Sequence, residues 1–157
     1  MNRWGMGTLL YRATICYALL AVLYDTVLIA AFCGRLVPEH LGYPLGALLC
    51  ALGVVVYALG TLTVYRAIDD RRLATRGLYA IVRHPLYAAW VWCLVPGVAL
   101  LAGTPLVLAT PLVAAVCYRL CIPHEEARLL EHFGEAYRAY RGRVGGIVPR
   151  LGFGKEV

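Results

Sequence analysis

Polar and apolar positions along this chain do not alternate, and they do not form one narrow helical stripe. They fall into long apolar stretches separated by short polar ones. A helix needs about 20 apolar residues to cross the hydrocarbon core of a bilayer. Four stretches approach that length: about Ala13 to Cys33, Leu41 to Tyr65, Leu86 to Ala102 and Thr104 to Ile122. Only Gly103, Thr104 and Pro105 separate the last two, which predicts a tight antiparallel helical hairpin. Beyond Ile122 the pattern changes. Glu126, Leu130, Phe133, Tyr137 and Tyr140 recur at spacings of three and four, with charged residues between them. Pro123 marks a helix start there, so the pattern predicts a separate amphipathic helix close to the membrane surface. The expected fold is all-α: a polytopic integral membrane protein with about four transmembrane helices, the last two a tight hairpin, and a C-terminal amphipathic cytoplasmic helix.

Composition agrees. Hydrophobic residues make up 61% of the 157 residues and charged ones 15%, against about 25% charged in a soluble domain. The mean hydropathy is +0.70. These values exclude a disordered chain, a coiled coil and an ordinary soluble globule. The net charge of +6 is read as membrane flanking rather than nucleic-acid binding, because basic residues gather on cytoplasmic flanks. Fourteen of the 15 basic residues lie before the first span, between the second and third, or from Arg119 onward at the end of the fourth; Arg35 stands alone on the other side. The positive-inside rule therefore predicts both termini in the cytoplasm. Cys16, Cys33, Cys50, Cys93, Cys117 and Cys121 lie within or at the ends of apolar stretches, with no CxxC pair and no zinc-site spacing. They read as small packing residues, and no metal site is expected.

Within the second span Gly46, Gly53 and Gly60 recur every seven residues, with Gly42 before them. Small residues on one face predict a close helix–helix seam. Pro96 and Pro111 lie inside the third and fourth spans and predict kinks. Asp25 is an acid inside the first span, which makes it a candidate for function or for a buried hydrogen bond. No repeat or low-complexity segment appears, so residues 1–157 form one membrane domain.

Chemistry-bearing residues crowd into two segments, 75–87 and 123–150, both cytoplasmic by the charge rule. The first runs through Gly77, Tyr79, Arg83, His84, Pro85 and Tyr87. Pro85 suits the first helical position, which places His84 at the cap where the chain re-enters the membrane. A snorkelling arginine, a capping histidine and an aromatic belt would account for this cluster without any ligand. The second begins with Glu125 and Glu126, which the dipole of a helix starting at Pro123 would favour. Gly134 is an anomaly inside that helix, and close approach of another group would explain it. Two polar segments on one side of a small bundle point to a shared site.

Taken together, Gly77 with Tyr79, "RHPLY" at Arg83–Tyr87, "EEARL" at Glu125–Leu129, "FGEAYRAY" at Phe133–Tyr140 and "VPR" at Val148–Arg150 resemble the membrane methyltransferases typified by isoprenylcysteine carboxyl methyltransferase. Phospholipid N-methyltransferases share this C-terminal signature. The resemblance covers residues 75–150. It departs at Leu78, where proline is common, at Ala88-Ala89, where glycine is common, and at Gly145-Gly146, which stand as extra residues before Val-Pro-Arg. The resemblance implies S-adenosylmethionine as methyl donor, S-adenosylhomocysteine as product, and a lipidic or small apolar acceptor in contact with membrane lipids. It implies a cofactor site of Tyr79, His84, Pro85, Tyr87, Glu125, Glu126, Tyr137 and Tyr140, with Arg83, His84 and Glu126 as catalytic candidates. No Gly-rich turn follows a strand, which excludes a soluble dinucleotide-type methyltransferase. No nucleic acid and no obligate protein partner are expected.

Two other readings stand beside it. NADPH-dependent sterol-type reductases share a similar C-terminal architecture but carry further Asp, Lys and Trp, which residues 123–144 lack. A non-catalytic assembly factor or complex subunit would keep the membrane fold and bind no cofactor.

Overall fold

The computed structural model describes residues 7–24, 35–69 and 72–150. Four helices dominate. These are α1 (Gly7–Tyr24), α2 (Glu39–Asp69), α3 (Pro85–Ala102) and α4 (Pro105–Arg143). An apolar stretch in hydrocarbon must satisfy its own backbone, and a helix does so within the segment. Glu39–Ala67, Pro85–Ala102 and Pro105–Arg143 are long and apolar enough to cross a membrane. The first expected span is described only as far as Tyr24, so its continuation to Cys33, including Asp25, lies outside the described residues.

α2 packs along α3, and α1 along α4. The glycine seam explains the first pairing. A Cβ at Gly46 would come within 2.8 Å of the Gly97 carbonyl oxygen, and one at Gly53 within 2.7 Å of Leu94. Gly97 answers from α3, where a Cβ would meet Cys50 Sγ at 2.7 Å. The two backbones therefore approach as closely as glycine allows. Leu41, Leu45, Leu48, Leu52, Val55, Leu59 and Leu62 of α2 are exposed. This regular apolar stripe suits acyl chains rather than water.

The two intramembrane prolines reshape their helices. Pro96 follows a π-helical turn, Trp90–Leu94, inside α3. That wider turn accommodates a ring that lacks an N–H. Pro111 follows a one-residue interruption at Ala109, between the lead-in Pro105–Leu108 and the long part Thr110–Arg143 of α4. The hairpin is as tight as expected: Gly103 takes φ 68°, closing α3 with a bond from its N–H to the Ala99 carbonyl, and extended Thr104 leads into Pro105. The lone arginine on this side, Arg35, donates to the carbonyls of Leu101 (2.9 Å) and Leu100 (3.3 Å). It thus caps the C-terminal end of α3, where a cation is favoured.

Two expectations for the C-terminal region need correction. Pro123 does not begin a helix, because α4 runs straight through it. Proline's fixed φ is helical, so the cost of that position is one missing backbone bond and some crowding. The helix dipole therefore does not explain Glu125 and Glu126, which sit mid-helix. The amphipathic region is the distal part of α4. Gly134 is also not crowded, since a Cβ there would meet nothing within 4 Å. Its backbone takes φ 53° and ψ −128°, which breaks the helix and redirects residues 135–143. Glycine adopts such a conformation at the least cost.

The seam yields a test. Gly46→Ala and Gly53→Ala should each lower stability by about 1–3 kcal/mol through overpacking. Gly60→Ala, whose Cβ would make ordinary contacts at 3.6 Å, should change it by under about 0.5 kcal/mol. Thermal unfolding of the detergent-solubilised variants measures the difference; equal midpoints for all three would show that the seam is not under steric constraint.

Candidate functional site

At about 1.5 Å per residue, the 39 residues of α4 are nearly twice as long as a bilayer core of about 30 Å requires. Apolar residues end near Ile122, and charged ones follow from His124. The distal part of α4 thus stands beyond the hydrocarbon. Beside it lies the loop between α2 and α3, with a 3-10 turn at Gly77–Ala80.

This loop is held by the segment after α4. Residues 144–150 return as a strap: Val82 pairs with Gly145 in a short parallel bridge. The Arg83 N–H donates to the Gly145 carbonyl at 2.7 Å and the His84 N–H to Gly146 at 3.1 Å. Gly145 and Gly146, extra residues in the sequence pattern, are therefore the strap's backbone contact. A side chain at Gly146 would meet Tyr118 Oη at 2.8 Å, and one at Gly145 would strike the Val148 carbonyl. Tyr140 adds a bond from its hydroxyl to the Tyr79 carbonyl, 2.6 Å.

The centre is an ion-pair hub. Arg83 donates through Nε (3.0 Å) and Nη2 (2.5 Å) to Glu126 Oε1. Its Nη1 donates to the carbonyls of Val144 and Arg141. His84 Nε2 lies 3.3 Å from the same Glu126 oxygen. Arg141 Nε lies 3.2 Å from Oε2. The side chains of Arg83, His84 and Glu126 are 12%, 4% and 9% exposed, that of Arg141 53%. Burial alone would raise the Glu126 pKa. Hydrogen bonds with His84 and Arg83, and the charges of Arg83 and Arg141, outweigh it and hold the carboxyl down at about 2. Burial pushes the Tyr140 hydroxyl up to about 12 against the opposing charge of Arg83, so it acts as a donor at neutral pH.

His84 occupies the cap position, with Pro85 opening α3, as expected. Its ring makes no capping bond, however; it faces Glu126 and stacks on Tyr87, centroids 5.7 Å apart. Tyr87 in turn donates its hydroxyl to Glu125 Oε2. Tyr137 is 1% exposed, and its ring lies 6.2 Å from that of Tyr140, centroid to centroid. The structure thus gathers Tyr79, Arg83, His84, Pro85, Tyr87, Glu125, Glu126, Tyr137 and Tyr140 around one junction. Sequence reasoning missed Arg141, Tyr118 and Tyr11. Arg141 has a local signal, since it follows Tyr137 at i+4. Tyr11 and Tyr118 join the cluster only through helix packing, Tyr11 4.9 Å edge-on to Trp90 and Tyr118 6.0 Å from Tyr87.

Fold and site together define a polytopic α-helical membrane protein with a buried charge hub at the end of its bundle. The sequence model of the isoprenylcysteine carboxyl methyltransferase family matches residues 47–131, over half the chain, and the protein belongs to that family. It is similar to the protein-S-isoprenylcysteine O-methyltransferases of Tribolium castaneum (29% identity over 115 residues, 67% of this chain and 41% of that one), Schizosaccharomyces pombe (37% over 91 residues, 52% and 35%) and Dictyostelium discoideum (32% over 85 residues, 53% and 35%). The chain spans less than half the length of these relatives.

The hub predicts how the strap is held. Lysine at position 83 has one compact ammonium and cannot place donors at the separate positions that Nε, Nη1 and Nη2 of Arg83 occupy. Arg83→Lys should therefore speed amide exchange at residues 82–84 and 144–150, measured by hydrogen-exchange mass spectrometry, while leaving α2 protected. Unchanged protection would show that the strap holds without the guanidinium.

The depressed Glu126 pKa fixes a pH response. A carboxyl with a lowered folded pKa contributes stability above its unfolded value, near 4.5, and loses it as pH falls toward the folded value, near 2. Protection factors of the strap should hold at pH 5 and decline between about 4.5 and 2. A decline already complete at pH 5 would contradict this assignment.

Proposed function

We propose that this chain is an S-adenosylmethionine-dependent methyltransferase. Its proposed acceptor is lipidic, a prenylcysteine-like carboxylate, and transfer occurs at the cytoplasmic face of the membrane with both termini on that side. The observation that carries the reading is the Arg83–His84–Glu126 hub. It joins the two motif segments of a chain in this family at the end of an apolar bundle. The relatives' names specify methylation of an oxygen on a prenylated cysteine, and that acceptor is extended here to this chain.

The residues present fit the proposed cofactor. It offers a carboxylate, an ammonium, hydroxyls, a purine and a cationic sulfonium, and when bound supplies an activated methyl group. The junction offers matching groups. Arg83 and Arg141 together exceed the charge of Glu126 by one, which suits a carboxylate. Glu125 has one oxygen beyond the one that Tyr87 engages. Trp90 Nε1 is buried without a partner among the described residues, and an ordered ligand is one way to satisfy such a group.

Chemistry by positioning suits this arrangement. A carboxylate acceptor is already nucleophilic and needs no base, so alignment and exclusion of water supply much of the rate. His84 fits that scheme: with its Nε2 turned to Glu126, it orients the hub rather than standing free to take a proton. Glu126 likewise works as a positioning residue, because its oxygens already face Arg83, His84 and Arg141. The aromatic junction of Tyr11, Tyr87, Trp90 and Tyr118 lies where the hub meets the helices, and an acceptor entering from the bilayer would arrive there.

Calorimetric binding of S-adenosylhomocysteine to detergent-purified protein tests the reading. Wild type should bind saturably, and Glu126→Ala and His84→Ala should bind at least about tenfold more weakly, since the first strips the hub of its carboxylate and the second removes one of its buried bonds. Labelled methyl should then pass to a free farnesylcysteine derivative rather than to phosphatidylethanolamine vesicles. Well-folded wild type that binds no S-adenosylhomocysteine, even with lipid present, would sink the proposal. Labelling of the vesicles alone would move the acceptor to a phospholipid amine.

A further inference from the structure

The two adjacent glutamates have different surroundings. Glu126 meets three basic side chains, Arg83, His84 and Arg141. Among the described residues no ion pair reaches Glu125, whose hydrogen bond comes from the neutral Tyr87 hydroxyl. Consecutive helix positions project about 100° apart, so Glu125 points away from the hub. It points to where α1, α2, α3 and α4 converge, and the groups there are aromatic. Tyr11 of α1 lies 6.0 Å from Tyr87 and 4.9 Å from Trp90, ring centre to ring centre. Tyr57 of α2 and Tyr79 of the loop neighbour Tyr11 electrostatically, and Glu125 acts on Tyr11, Tyr79 and Tyr87 alike. Trp90 Nε1 is buried in the same cluster without a partner among the described residues.

A half-buried carboxylate among aromatic rings, with no cation paired to it among the described residues, attracts a positive ligand. Ring faces favour a weakly hydrated organic cation over a small hydrated ion. Tyr11 also lies before the stretch that the family model matches, residues 47–131, so the match assigns it nothing.

We propose that Glu125, with the rings of Tyr11 and Tyr87, forms a site for a soft organic cation. On the methyltransferase reading above, on which this rests, that cation is the sulfonium of the methyl donor. Transfer breaks the sulfur–methyl bond and leaves its electron pair on sulfur, while a lone pair of the acceptor carboxylate oxygen forms the new bond to carbon. The product is then neutral at sulfur. A site of this kind holds donor in preference to product and so favours exchange of one for the other.

The test compares two ligands by calorimetry. S-adenosylhomocysteine is neutral at the sulfur position, and sinefungin carries an ammonium there. Wild type should prefer sinefungin by about tenfold. Tyr11→Leu and Glu125→Gln should each weaken sinefungin by roughly threefold or more beyond whatever each does to S-adenosylhomocysteine, so that the preference itself falls. Tyr11→Phe keeps the ring and should keep the preference, which guards against a fold defect in the leucine variant. Equal affinity of wild type for both ligands overturns the proposal, as does an unchanged preference in Tyr11→Leu. Equal loss of both ligands in Glu125→Gln would assign Glu125 to the amino-acid ammonium that both carry, and also overturns it. If wild type binds neither ligand, the methyltransferase reading itself has failed, a result distinct from binding without charge preference.

Discussion

The contact between Arg83 and Glu126 organises the extramembrane part of this molecule. The partners are 43 residues apart in sequence, and both side chains are nearly buried. Removing two charges from water is costly, and their attraction offsets it only when the remaining donors and acceptors are also satisfied. Here the guanidinium's other nitrogen reaches the carbonyls of Val144 and Arg141, and the carboxylate's second oxygen meets Arg141. The pair therefore does more than join two side chains. It fixes the loop that precedes α3, the distal part of α4 and the strap in one arrangement, and any ligand at the junction meets groups already aimed.

The membrane half supplies the other constraint. α3 enters the bundle at Pro85, directly after the hub residues, so the placement of Arg83 and His84 depends on where α3 lies. Close packing of Gly42, Gly46 and Gly53 against α3 sets that position. At Gly60, near the hub end, the contact relaxes to ordinary distances with Pro85 and Leu86. The seam is tightest far from the site and loosest beside it. The lone Arg35 anchors the far end by capping α3, which accounts for a basic residue on that side of the bundle.

Much of this was legible in the sequence, because the features concerned are local. The apolar stretches, the Gly103–Pro105 hairpin, the glycine seam and Pro85 after a capping His84 all follow from residue type and spacing. The two polar segments were legible as partners because both flank apolar runs on one side. What escaped depends on backbone angles or on packing between distant elements. Pro123 read as a start because proline favours first turns, yet it also tolerates a helix whose other contacts hold. Gly134 read as a close approach because spacing does not reveal φ. Gly145 and Gly146 read as surplus because their role is to pair with Val82, Arg83 and His84 across the fold. Tyr11 lay in a half of the chain with no recognisable motif, and only the packing of α1 on α4 brings it to Tyr87 and Trp90.

The neighbouring glutamates show how one helix serves both halves. Had α4 begun at Pro123, Glu125 and Glu126 would have capped its first turn and interacted mainly with the dipole. Because the helix continues from the membrane, their backbone is instead held by the bundle on one side and by the strap on the other. The angular offset between successive positions then directs one carboxylate into a cluster of cations and the next toward aromatic rings. Glu126 is drawn into fixed structure, and Glu125 keeps an oxygen that no basic side chain among the described residues engages. The break at Gly134 completes this geometry. It turns residues 135–143 so that Tyr137, Tyr140 and Arg141 close on the loop rather than continuing along the axis of α4. A straight helix would carry those residues away from Arg83, and the hub would lose both Arg141 and the strap.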